Sequence, residues 1–291
     1  MKVLKFGGTS VGSIENIKRV KELITDGDKK IVVLSAMSGT TNALVEISDL
    51  IKNNLVENAV EKIENLHAKY NGVIDELFET SELKQEVGNY IDSVFELLTL
   101  FTSKKHNELL YNRIVSQGEL MSTFMFTKYL NQEGVNARLL PALSFMRIDK
   151  ANEPDDFYIK QNLQRIIDEA LPADIYITQG FIGQDDKGNT TTLGREGSDY
   201  SAGIIAYCLN AKSVTIWKDV DGVLNADPRY FENAQLSLFL LFYLYQRFFV
   251  PIDSLIQHSL LIKHLVKHLP ILYNNHEFYQ PSLCLPSNRI S

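Results

Sequence analysis

Apolar and polar positions along this chain switch between two periods, and the switches mark its elements. Val3, Leu4 and Phe6 lie in a short run, Lys2 to Phe6, that predicts a strand. Ser13 follows as a helix cap, with apolar Ile17, Val20, Leu23 and Ile24 at three- and four-residue spacing behind it. Ile31-Val32-Val33-Leu34 is continuously apolar and mostly β-branched, which predicts a buried parallel strand. From about residue 43 to 129, Leu, Ile, Val and Phe recur at helical spacing with charges on the opposite face. That span is too long for one crossover helix and predicts an inserted helical layer. Two more strands, Arg138 to Ala142 and Asp174 to Thr178, flank a helix near Ile159 to Leu171. Turn residues between Gln179 and Asn189 predict a hairpin-type connection. Thr190 to Thr192 reads as a strand, Ser198 and Asp199 as N-caps of a helix running to about Asn210, and Val214 to Trp217 as a further strand. Strands alternating with helices predict an α/β fold with a mostly parallel sheet covered on both faces.

Chemistry-bearing residues gather where predicted strands end. Gly7-Gly8-Thr9-Ser10 joins a strand to a helix, an arrangement that offers backbone N–H groups and a helix dipole to a phosphate. Lys5 stands just before it; a plain βα turn preceded by a surface lysine is the competing reading. The spacing is not that of a Walker A loop. Ser35 to Asn42 is a second small-residue loop, whose hydroxyls either cap a helix or bind an anion. Glu119 lies between Gly118 and the apolar pair Leu120 and Met121, so it either receives an amino group or is a solvated carboxylate at a helix start. Arg195, bracketed by Gly194 and Gly197, brings a planar fork suited to carboxylate or phosphate next to Ser198 and Asp199. An ordinary strand–helix connection would use the same residues.

The bulk numbers narrow the classes. The chain has 291 residues, 45% of them hydrophobic, enough for one large domain or two small ones. A formal net charge of -7 argues against nonspecific nucleic-acid binding. Cys208 and Cys284 are far apart and outside any metal-ligand spacing, which predicts a reducing compartment without a disulfide framework. No signal peptide is expected ahead of the first strand, and the longest apolar run, about Leu238 to Tyr245, is too short for a bilayer. The expectation is a cytoplasmic protein with no membrane partner.

Four segments together resemble aspartate kinase, a branch of the amino-acid kinase superfamily. They are Lys-Phe-Gly-Gly-Thr-Ser at Lys5 to Ser10, Ser-Gln-Gly-Glu at Ser116 to Glu119, Thr-Thr-Leu-Gly-Arg-Glu-Gly-Ser-Asp at Thr191 to Asp199, and Trp-Lys-Asp-Val-Asp-Gly with Asp-Pro-Arg between Trp217 and Arg229. The resemblance covers roughly residues 1 to 235. It implies a three-layer α/β/α sandwich and ATP-dependent phosphorylation of the side-chain carboxylate of L-aspartate to 4-phospho-L-aspartate, the entry to lysine, threonine and methionine synthesis. It further implies that Lys5 holds the transferring phosphate and that Gly7 and Gly8 supply backbone donors. Arg195 would pair with an aspartate carboxylate, Glu119 would take its ammonium with help from Thr41 and Ser198, and Asp199 would orient Lys5 or a metal-bound water. Lys218, Asp219 and Arg229 would bind ATP, with Leu224 where some members carry a tyrosine near the nucleotide. Mg²⁺ would be held by ATP and water rather than by a protein cage. A kinase of another small carboxylate, a noncatalytic ligand-binding paralogue and a homo-oligomeric assembly all stay open.

The resemblance stops near Gln235. Residues 236 to 291 contain no glycine, alanine, threonine or methionine, yet hold four of the six histidines and four of the eight prolines. The family's Gly-Ala turn, His-Pro motif and last strands are not recognisable there, and the paired ACT regulatory domains are expected to be absent. The expectation is an incomplete C-terminal part, of the kind an out-of-frame reading produces, with low activity and poor solubility as its consequence.

Overall fold

The computed structural model describes residues 1–149, 153–194 and 197–217. Strand β1 (Lys2–Phe6) leads through a 3-10 turn at Thr9–Val11 into α1 (Ile14–Ile24), then β2 (Lys30–Leu34). Five helices follow: α2 (Thr40–Lys52), α3 (Val56–Leu77), α4 (Ser81–Phe101), α5 (Glu108–Val115) and α6 (Gln117–Gln132). These are the inserted helical layer, begun three residues earlier than its apolar period announced. Next come β3 (Ala137–Leu140), α7 (Asp156–Glu169) and β4 (Ile175–Gln179). The hairpin β5 (Ile182–Gln184) and β6 (Thr190–Thr192), α8 (Gly197–Cys208) and β7 (Ser213–Trp217) complete the described chain.

The main sheet runs β3-β4-β2-β1-β7, every pair parallel; β5 and β6 form a separate antiparallel pair. Side chains alternate across it with the period of two that a pleated strand imposes. Leu4, Phe6, Val32 and Leu34 join the core beneath α1 to α6. Val3, Ile31 and Val33 join the core beneath α7 and α8. Two apolar layers on one sheet make the three-layer sandwich. The same alternation sends Lys5 to the α8 side.

Local chemistry sets the ends. Ser13 Oγ accepts from the Asn16 amide at 3.2 Å, as its capping role requires. Leu23 departs from its expected burial and is 39% exposed, because α1 covers the sheet with Ile17, Val20 and Ile24 alone. β3 stops at Leu140, since Pro141 has no N–H for the ladder, and Ala142–Ser144 turns as a 3-10 segment. α8 starts at Gly197, so Ser198 and Asp199 lie inside its first turn rather than capping it. Its end also comes earlier than expected: Asn210 is left-handed at φ 48.

Candidate active site

The site grows from the carboxyl ends of β1, β2 and β4, where open α/β sheets place ligands. Lys5 is 6% exposed on β1, and its Nζ lies 2.6 Å from Asp199 Oδ1 in α8. A cation this deep needs its partner, because desolvation without one costs several kcal/mol, roughly. Asp199 is held in place through the chain before it. A Cβ on Gly180 would stand 2.7 Å from Ser198 Cα, so only glycine lets β4 and α8 come this close. Phe181 next to it is left-handed, φ 68, a strained place for an aromatic residue. Ser201 Oγ accepts its amide at 2.9 Å and donates to Gly197 O at 2.8 Å, which holds the turn against the helix start.

The Gly7-Gly8 turn closes on the loop after β2. The Ser38 amide donates to Gly8 O at 3.1 Å, and a Cβ on Gly8 would meet Ala36 O at 2.7 Å. The backbone is thus as near to its neighbour as glycine permits. Across this loop stands Glu119, in the first turn of α6 and 3% exposed. Its Oε1 accepts from the Ala36 amide at 3.2 Å; its Oε2 is buried with no hydrogen-bond partner among the described residues. Burial pushes the carboxyl up to about 8, against the opposing pull of the Ala36 amide, its own amide and the Lys5 charge. A solvated carboxylate, the alternative reading of Glu119, is therefore ruled out. Thr40 and Thr41 open α2 beside it. Thr40 is fully buried with its Oγ1 3.2 Å from Tyr70 OH, while Thr41 is half-buried.

One structural unit thus holds Lys5 against Asp199, Gly8 against Ala36, and Ala36 against Glu119. The residues 1–237 match the model of the amino acid kinase family.

The chain belongs to the amino acid kinase family.

It is 33% identical over 240 residues to lysine-sensitive aspartokinase 3 of Escherichia coli K12, covering 80% of this chain and 52% of that protein. To aspartokinase 1, chloroplastic, of Arabidopsis thaliana it is 36% identical over 250 residues, covering 82% of this chain and 44% of that one. Its fold is similar to the crystal structure of E. coli aspartokinase III in complex with aspartate and ADP, in the R-state. The TM-score is 0.69 at 32% identity, over 81% of this chain and 53% of that one. The chain spans about half the length of the curated relatives it matches.

Within the amino acid kinase frame, Arg195, Lys218, Asp219, Leu224 and Arg229 lie outside the described residues, as does the tail from 236. Among the described residues no group of three His, Cys, Asp or Glu side chains is placed to hold a metal ion. Two polar residues that sequence reasoning passed over complete the floor of the site. Gln179, 1% exposed at the end of β4, donates to Thr123 Oγ1 at 2.6 Å and accepts from the Ala142 amide at 2.8 Å. Tyr70 comes from the inserted helices, fully buried, its hydroxyl raised above its ordinary value by burial. A glutamine just before a strand-end glycine was a readable signal; one tyrosine on a long amphipathic helix was not.

Proposed function

We propose that this site transfers the γ-phosphoryl group of ATP to the side-chain carboxylate of L-aspartate, giving 4-phospho-L-aspartate, in the cytosol and at the entry to lysine, threonine and methionine synthesis. The observation that carries the reading is the buried Lys5–Asp199 pair at the end of a central strand, with the unpartnered oxygen of Glu119 nearby. The names of the relatives and the aspartate and ADP in the E. coli structure support the choice of ligands.

Two anions must meet, so the work is positioning and charge neutralisation. The attacking carboxylate is already ionised, and no general base is needed. A carboxylate oxygen bonds to the γ-phosphorus as the bond to the β-γ bridging oxygen breaks, and ADP leaves with that electron pair. Lys5 neutralises the transferring phosphate oxygens, and Asp199 fixes its ammonium. Gly7 and Gly8 let the phosphates approach the backbone. Glu119 receives the substrate ammonium with its free oxygen, assisted by Thr41 and Ser198, while Arg195 pairs with a carboxylate. Lys218, Asp219 and Arg229 hold the nucleotide beside Leu224. Mg²⁺, where bound, would help neutralise the triphosphate and would be held mostly by the phosphates and water.

Residues 1 to 235 form the catalytic unit in this reading, and 236 to 291 an atypical tail whose sequence carries none of the family's closing motifs. Low turnover follows. A coupled ADP-release assay with L-aspartate, L-glutamate and N-acetylglutamate tests the assignment: aspartate is expected to give the highest rate, and preference for another acid overturns it. The family match ending at residue 237 favours a second reading, a site that binds without turnover. Calorimetric binding of ATP and aspartate with no ADP release selects that one.

A further inference from the structure

The turn from Ala36 to Thr40 is gripped on three sides. The Gly8 carbonyl takes the Ser38 amide at 3.1 Å, and Glu119 takes the Ala36 amide at 3.2 Å. Both grips belong to the site already described. The third comes from the inserted helices. Lys69 and Tyr70, consecutive residues of α3, both reach this turn. Lys69 Nζ donates to Ser38 O at 2.6 Å, and Tyr70 OH lies 3.2 Å from Thr40 Oγ1.

The two contacts are built differently. Tyr70 is fully buried, and its ring meets Phe95 of α4 edge-on at 5.8 Å, so a second inserted helix holds it. Thr40 is fully buried too, which makes their bond the outlet for two hydroxyls that water does not reach. Lys69 is exposed. Its carbonyl contact adds little to the core but arrests the residue before Gly39, whose left-handed φ of 79 starts α2. Between them they fix the backbone on both sides of that glycine, one step from Thr41.

We infer that Lys69 and Tyr70 are positioning residues through which the inserted helices set the Ser38–Thr41 turn for the acidic amino acid rather than for the nucleotide. The inference rests on the aspartate-kinase reading above. It gives the helical layer a task beyond covering the sheet. Tyr70 meets Thr40, which packs against Gly118 next to Glu119, and Lys69 holds the carbonyl of Ser38, whose amide Gly8 takes; the two contacts bracket the step into Thr41.

The test uses the full chain and Lys69→Met, Lys69→Arg and Tyr70→Phe. Calorimetry with L-aspartate and, separately, with ATP reads the two halves of the site. Losing one hydrogen bond to the turn is expected to weaken aspartate about 3- to 10-fold, the range its net worth corresponds to. ATP affinity stays within about 2-fold on the same scale. Lys69→Arg, which still donates to Ser38 O, restores aspartate binding. Equal weakening of both ligands, or none of aspartate, overturns the inference. Amide exchange in the ligand-free proteins gives a readout that needs no substrate: the Ser38 and Thr40 amides are expected to exchange faster in Lys69→Met and Tyr70→Phe, with β1 and β2 unchanged. Unmoved exchange sinks the inference even where aspartate binding weakens. Failure of the unaltered chain to bind aspartate at all removes the reading beneath it, and the inference with it.

Discussion

Glu119 makes stability depend on pH in a direction opposite to that of a salt-bridged carboxylate. Its carboxyl is raised from an ordinary 4.5 to about 8 because burial disfavours the charge. Below pH 4.5 folded and unfolded chains both hold the proton, and the site costs nothing through ionisation. As pH rises from there toward about 8, the unfolded chain releases the proton and the folded chain keeps it. The folded state then loses about 1.4 kcal/mol for each pH unit, about 3 kcal/mol by pH 7. Above about 8 the folded carboxyl ionises as well, and the loss levels off. Glu119→Gln removes the proton from both ledgers. The amide oxygen can keep the Ala36 contact, while the new NH₂ lacks a partner at a pH-independent cost of about 1–3 kcal/mol. The stability of Glu119→Gln relative to the parent is therefore expected to rise by about 1.4 kcal/mol per pH unit between pH 5.5 and 7.5. In thermal melts this is about 3–6 °C per unit for a domain of this size. Melts of both proteins at three pH values in that window measure it. A gap that stays constant across the window would show that Glu119 is already ionised in the folded protein, and the account of its buried acid would be wrong.

Other changes probe the rest of the site. Lys5→Met is expected to weaken ATP about 10- to 100-fold in calorimetry, the worth of a hydrogen bond to a charged group; unchanged affinity would remove Lys5 from the phosphate site. Gly8→Ala drives a methyl into Ala36 O and is expected to cost about 1–3 kcal/mol in urea unfolding. Full stability would mean the two loops do not meet as described. Cys208 is 4% exposed, its thiol pushed up to about 12 by burial and by Asp156. It is expected to resist alkylation at pH 8 until urea unfolds the chain, read by peptide mass mapping; prompt labelling would contradict its place in the core.

The fold was legible wherever burial imposes a period. The continuous run at Ile31 to Leu34 gave β2, because a strand covered on both faces has no polar side to show. The inserted helices were visible as a group, but their joints were not separated, although left-handed Asn54 and the capping Thr80 and Asn107 supply turn and cap chemistry there. Lys5, Gly8, Glu119 and Asp199 were named from motifs. Their mutual geometry was not legible, since it depends on Gly180 admitting Ser198 and on Gly8 admitting Ala36. Lys30 shows the limit most plainly. A lysine at a strand start reads as exposed, yet it is fully buried, its Nζ donating to Ile24 O at 2.7 Å and paired with Asp26. Only the return of α1 onto the sheet supplies those acceptors.

The neighbours of β1 impose an order on the molecule's assembly. Lys2 is in register with Lys30 on one side and with Ser213 on the other. On a ribosome the first strand therefore meets one partner early and waits for the second until nearly all of the sheet has been made. At about 5–20 residues per second, that wait is roughly 10 to 40 s. Throughout it the edge bearing Lys5 is open to other strands, in the same chain or in a neighbouring nascent one. The residue that meets the triphosphate in our proposal is thus made well before the second strand that encloses it. Nascent-chain chaperones have their longest opportunity at that strand.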